Sequence, residues 1–147
     1  MRLEGKMKKT ILFLLFLPAA TQAGNLNEIY WSTYACSGYI YHFDDNKNTY
    51  KKYTREYIKK TNEPRYTSYR LIEGKMKHIE RAIYSLSGKD IKGITTIDFS
   101  NMNQALIKSS QLGLLALKQC DVDQSKKLIY EAEMYFKKCP NINCKSH

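Results

Sequence analysis

The stretch YTSYRLIEGKMKHIERAIYSL (residues 66–86) is the most periodic part of this 147-residue chain. Its apolar side chains recur every three or four residues, at Tyr66, Tyr69, Ile72, Met76, Ile79, Ile83 and Leu86. This spacing places them on one face of an α-helix. Ser87-Gly88 follows as a C-terminal stop, so the stretch predicts a long amphipathic helix.

Similar patterns on both sides of this stretch predict further helices. The second helix in chain order stops before Pro64, because the residue preceding a proline is pushed out of the helical region. The last is capped by Asp121 or Asp123 and ends at Pro140. The segment 89–99 is predicted as a loop, with a short strand as the alternative. The helices are expected over about residues 26–43, 49–60, 66–86, 101–120 and 122–139. We therefore predict an all-α fold, a small disulfide-stapled helical bundle of four to five helices.

Residues 1–23 have the pattern of an export signal. A positively charged start precedes the apolar run 11–17, and Thr21-Gln22-Ala23 places small residues where signal peptidase reads them. The run is shorter than the roughly 20 residues that span a bilayer. We predict a signal peptide over 1–23, a single helical domain over 24–147, a periplasmic location and no stable membrane insertion after cleavage.

Four cysteines in an exported chain predict two disulfides. A helix of about 15 residues, roughly 22 Å long, would separate Cys120 from Cys139, which is too far for a bridge. Cys120–Cys144 would need a fully extended tail, so the favoured pairs are Cys36–Cys120 and Cys139–Cys144. A zinc site needs two close cysteine pairs, and only Cys139 and Cys144 are neighbours.

Positive charge is concentrated between Lys47 and Arg81, where 11 basic residues face four acidic ones. Basic side chains interleaved with tyrosines can bind nucleic acid, but export argues against that partner. The open alternatives are a solvated face over a half-buried core, a contact surface for an acidic protein, and a surface for an anionic envelope polymer or nucleic acid. The candidate partner-binding residues are Tyr50, Lys51, Lys52, Tyr53, Arg55, Lys59, Lys60 and Arg65.

No arrangement of side chains in the sequence predicts catalysis, a metal site or a cofactor. His42 and His78 have no Glu or Cys neighbour at ligand spacing, and His147 is terminal. Asp44-Asp45 fits a helix end better than a pair of catalytic carboxylates. We therefore predict a protein that is not an enzyme and uses no cofactor.

Two segments, YWSTYACSGYIYHF (30–43) and SSQLGLLALKQCDVDQSKKLIYEAE (109–133), resemble the periplasmic immunity proteins of type VI secretion amidase effectors. Lys118-Gln119-Cys120-Asp121 and Ser125-Lys126 stand in the order of that family's late motif, whereas the pair Cys139 and Cys144 departs from it. The resemblance implies an all-helical fold, a bridge between an early and a late cysteine, and a homodimer that plugs the active site of a peptidoglycan-cleaving enzyme.

The predicted function is that of a periplasmic immunity protein, which binds and neutralises a secreted toxin such as a peptidoglycan amidase effector without catalysis of its own. Its partner is expected to be a protein with an acidic surface, and a homodimer is a further expectation. The alternative is a periplasmic helical adaptor or chaperone of a secretion or envelope system. A third possibility is a small envelope hydrolase.

Overall fold

A computed structural model describes residues 25–139 and shows eight antiparallel strands closed into a barrel, followed by one long α-helix. Each strand pairs with its neighbours in sequence, and β1 pairs with β8 to complete the circle. The predicted all-α helical bundle is therefore wrong. A short 3-10 helix (Asn25–Glu28) precedes the barrel, and helix α1 (Val122–Lys138) follows it. The strands are β1 (Tyr30–Ser32), β2 (Tyr39–Asp44), β3 (Thr49–Ile58), β4 (Tyr66–Glu80), β5 (Ile83–Gly88), β6 (Thr95–Asp98), β7 (Ala105–Ser109) and β8 (Gly113–Gln119).

The spacing in residues 66–86 misleads because it combines apolar side chains from the two faces of β4. A step of three residues moves a side chain to the opposite face of a strand. Tyr69 packs beneath α1 on the outer face, whereas Ile72 lines the barrel interior. Both faces of β4 carry apolar side chains here. Taken together along the sequence, these side chains recur every three or four residues, as they would in an amphipathic helix. Ile79, which the helical pattern predicts to be buried, is 54% exposed.

The turn between β4 and β5 carries no sequence signal of a hairpin. It consists of Arg81 and Ala82, and Arg81 adopts a φ of 41°. Hairpin turns with positive φ usually contain glycine, asparagine or aspartate. The apolar pattern therefore runs through this turn without a break, and the two strands on either side of it appear in the sequence as one long helix.

Helix α1 confirms the prediction for the last helix. Asp121 is its N-cap, and a carboxylate oxygen accepts a hydrogen bond of 2.9 Å from the backbone N–H of Gln124. Leu128 and Ala132 are buried on the helix face that packs against Ile40 and neighbouring residues on the outside of the barrel. Within residues 25–139, no helix is both long and apolar enough to cross a membrane.

Aromatic side chains fill the barrel at the end where β1 begins. Trp31 and Phe43 are fully buried, and their ring centroids lie 5.7 Å and 5.2 Å from that of Phe99. Leu26, from the 3-10 helix, belongs to the same cluster and is 1% exposed. Burying side chains of this size stabilises the fold by about 1.5–3 kcal/mol each. This end of the barrel is therefore closed.

The disulfide between Cys36 and Cys120 confirms one of the predicted pairs, with a Cα–Cα distance of 5.8 Å. It links the loop after β1 to the residue after β8, beside the seam where these two strands close the barrel. The argument that excluded Cys120–Cys139 holds, because α1 separates the two residues. The other predicted pair ends on Cys144, which lies outside the described residues, as does the predicted signal peptide.

Candidate functional site in the barrel cup

The end of the barrel opposite the aromatic cluster contains a cavity of about 520 Å³, which we call the cup. Its volume lies within the range of about 300–1,000 Å³ that is typical of small-molecule sites. Loops 89–94 and 110–112 border its mouth. Most of its wall is apolar and is supplied by Tyr41, Ile72, Leu86, Ile91, Ile107 and Leu115.

The strand register explains why these side chains face the same space. Directly opposed residues of antiparallel strands lie on the same face of a sheet. Tyr41 is opposite Lys52, and Lys52 is opposite Ile72 on the next strand. Ile107 is opposite Leu115 on the far side of the barrel. The cup is therefore lined by the side chains that point inward at every second position of these strands.

The wall of the cup is incomplete beside β8. Because β1 is only three residues long, it pairs with β8 at Gln119 and Lys118 alone. Among the described strands, none pairs with residues 113–117 on that side. Leu112 and Leu114 border the resulting opening and are 90% and 64% exposed. The opening therefore presents an apolar rim to solvent.

Lys52 brings a cation to the wall of the cup. Its Nζ lies 4.6 Å from the ring centroid of Tyr39 and 5.2 Å from that of Tyr41, which are cation–π distances. Among the described residues, no carboxylate lies within 4.0 Å of this ammonium group. Burial, and secondarily the charge of Arg70, lowers the pKa of Lys52. The lysine is therefore partly desolvated and has no counter-ion within residues 25–139.

Tyr50 crosses the inner wall from β3 towards β5. Its ring lies over Gly74, where an added Cβ would come within 2.3 Å of the ring carbons. The residue is 3% exposed, and its hydroxyl has no hydrogen-bond partner among the described residues. Burial, with a smaller effect of Asp90, raises the pKa of Tyr50 to about 12. The hydroxyl therefore stays protonated near neutral pH and is itself buried in the wall.

The structure divides the predicted partner-binding residues among three places. Tyr50 and Lys52 line the cup. Tyr53 is 4% exposed and packs beneath α1, and Arg55 pairs with Glu131 of α1 at 3.3 Å. The outer face of β3 also carries Lys51, and the β3–β4 turn carries Lys59, Lys60 and Arg65.

Three of these outward groups also have local partners. The Nζ of Lys51 lies 3.9 Å from a carboxylate oxygen of Glu73. Lys59 donates a hydrogen bond to the backbone carbonyl of Glu63, and the guanidinium of Arg65 lies 5.9 Å from the ring centroid of Tyr57. The eight residues therefore do not form one continuous surface.

Sequence reasoning missed the apolar wall of the cup because it assigned those residues to helix faces. A signal for strands was present in the alternation of Tyr39, Tyr41 and Phe43, which face the barrel interior between residues of the outer face. A second was the alternation of Ala105 and Ile107. Both runs are only five to six residues long, too short to be distinguished from a buried helix by periodicity alone.

Comparison with known proteins gives no match to this chain. No protein-family model matches it, and neither do any curated protein or solved structure. Within residues 25–139, no group of three or more His, Cys, Asp or Glu side chains is arranged to hold a metal ion.

Proposed function

We propose that this chain is a periplasmic binding protein whose cup takes one small ligand with an apolar body, without catalysis. The observation that carries this proposal is the cavity of about 520 Å³ with its largely apolar wall. An eight-stranded barrel is wide enough to hold one small ligand when side chains do not fill it. The Cys36–Cys120 disulfide is consistent with the export that the proposal requires.

The rim supports the same role. Leu112 and Leu114 are exposed at the opening beside β8. Exposed apolar groups at the edge of a cavity are typical of a ligand-binding groove. Moving apolar surface from water into the cup is favourable by about 25 cal/mol per Å². An apolar molecule would therefore gain binding energy both at the rim and inside the cup.

The neutral fluorophore N-phenylnaphthylamine tests this proposal through its increased emission in an apolar site. We expect the wild-type protein to bind it at one site. Ile72→Trp should lower its affinity at least about tenfold, since an indole would fill space in the cup. Lys77→Trp is the matched control on the same strand, because Lys77 is exposed outside the cup. The measurement is a fluorescence titration of each protein.

Wild-type affinity in Lys77→Trp, together with weakened binding in Ile72→Trp, would support the cup as the site. Circular dichroism of both variants verifies that each is folded. No binding by the wild-type protein, or equal binding by all three proteins, would exclude the cup as a site for apolar ligands.

A second candidate is the neutralisation of a protein toxin, and the hairpin of β3 and β4 favours it. These strands run past their neighbours, because β2 pairs with β3 only as far as Thr54 and β5 pairs with β4 only from Gly74. Tyr57, near the hairpin tip, is 61% exposed. Tyrosine and arginine are enriched in binding hot spots, and positive charge speeds association with an acidic partner. The exposed basic residues at the tip are Lys59, Lys60 and Arg65.

Charge reversal of these three tip residues to glutamate tests the second candidate. We expect a protein captured from envelope extract by the wild type to be bound at least about tenfold more weakly by the variant, with an unchanged melting temperature. The control is reversal of Lys126 and Lys127, which are exposed on α1. Capture that is equally strong with the tip variant would eliminate the hairpin as the contact surface.

A further inference from the structure

We infer that the ligand of the cup is an amphiphile with a carboxylate head group, and that Lys52 binds this carboxylate at the wall of the cup. The inference rests on the proposed function and specifies its ligand class. Lys52 lies on β3, directly opposite Tyr41 on one side and Ile72 on the other. A ligand whose apolar body contacts Tyr41 and Ile72 therefore lies beside the ammonium group, which can bind an anionic head group there.

In the part of the chain that the structure describes, Lys52 has no counter-ion. Its ammonium group lies over two aromatic faces, those of Tyr39 and Tyr41. The nearby Arg70 is already paired with Glu56, at 3.0 Å, so that carboxylate is engaged elsewhere. A partly buried charge is costly unless it is paired. An anionic ligand would supply the missing charge.

The charged residues of the loop at the mouth of the cup do not supply a counter-ion for Lys52. Asp90 and Lys92 both line the cavity and bring one charge of each sign, and both are exposed to solvent. Asp90 forms no ion pair with Lys52 within 4.0 Å. Among the charged groups that line the cup, Lys52 is therefore the one that is partly buried and has no carboxylate within 4.0 Å.

Tyr50 provides an independent observation in the same wall. Its buried hydroxyl has no hydrogen-bond partner among the described residues, although buried hydroxyl groups in proteins are usually paired. Ligand pockets commonly combine apolar walls with a small number of polar groups that fix orientation. The ammonium group of Lys52 supplies such a polar group, and a carboxylate is an acceptor that suits it.

The test uses three ligands with the same chain: dodecanoate, dodecanol and dodecyltrimethylammonium, each below its micellar concentration. Each competes with N-phenylnaphthylamine for the wild-type protein. We expect dodecanoate to displace the probe at a concentration about tenfold or more below that of dodecanol, since a hydrogen bond to a charged group is worth about this ratio or more. The cationic ligand is expected to be the weakest.

Three variants assign the preference to Lys52. Lys52→Met keeps an unbranched apolar stem and should abolish the preference while leaving the affinity for dodecanol within about twofold, because only the charge is removed. Lys52→Arg should retain the preference. Lys51→Met is the matched control on the opposite face of the same strand and should also retain it.

The outcomes separate the inference from the proposed function. If the probe does not bind the wild-type protein, the proposed function fails. If the probe binds but dodecanoate and dodecanol compete equally, or if Lys52→Met keeps the preference, the cup binds apolar molecules and the carboxylate inference is overturned.

Discussion

Replacing both Cys36 and Cys120 by alanine is expected to lower the free energy of unfolding by about 4.5 kcal/mol. The two cysteines are separated by 84 positions, so their bridge restricts most of the unfolded barrel. The chain-entropy model gives a larger effect for a larger closed loop. Domains of this size are stable by only about 5–15 kcal/mol, so the change is a large fraction of the total.

Urea denaturation of the double variant measures this effect. Ser37→Ala is the matched control, because Ser37 is an exposed neighbour of Cys36 and its loss should cost less than about 0.5 kcal/mol. Peptide mapping under non-reducing conditions should recover Cys36 linked to Cys120. A loss of stability below about 1 kcal/mol, or a map that links Cys36 to another cysteine, would contradict the account.

Gly74→Ala is expected to destabilise the protein by about 1–3 kcal/mol, the usual cost of forcing extra volume into a packed site. An added Cβ would lie 2.3 Å from the ring of Tyr50, so this buried ring would have to leave its present position. The sign of this effect distinguishes the folds. In an exposed helix interior, the same substitution would stabilise the protein by about 1 kcal/mol.

Gly38→Ala is the control for this substitution, because the nearest atom to its added Cβ lies at an ordinary 3.4 Å. Its effect should be small. In a Tyr50→Leu background, most of the cost of Gly74→Ala should disappear, because the ring that it collides with has been removed. Stabilisation by Gly74→Ala alone would mean that residues 66–80 do not form the inner wall described here.

Several features of the fold could be predicted from the sequence. The Cys36–Cys120 pair follows from excluding a bridge along the last helix, and that helix is present with Asp121 as its cap. Positions that end predicted helices also mark real turns. Asn48 and Asn62 have positive φ at two of them. These signals are local, and a local signal survives an error in the overall fold.

The barrel itself could not be predicted because the pattern along its strands is ambiguous. Helix α1 covers the outer face of β3 and β4, so these strands have apolar residues on both faces in their covered part. Tyr53 is buried under the helix, while Tyr50 is buried inside the barrel. A spacing of three between them fits a helix as well as a strand that is covered on both sides.

The candidate site depends even more on tertiary structure. Lys52 appears in the sequence as one cation in a basic block, and only the register of β3 directs it inward while Lys51 points outward. Ile107 and Leu115 come from distant strands and reach the cup because the barrel closes. No local spacing in the sequence connects these residues with β3.

Methyl-resolved NMR spectra of the protein titrated with N-phenylnaphthylamine test most directly whether the barrel interior is a binding site. Binding in the cup is expected to shift the methyl resonances of Ile72, Leu86 and Ile107. Those of Ile40 and Leu128, which pack between α1 and the outside of the barrel, should stay unchanged. The account would be contradicted if a saturating concentration of the probe shifted the resonances of Ile40 and Leu128 instead, or shifted no methyl resonance at all.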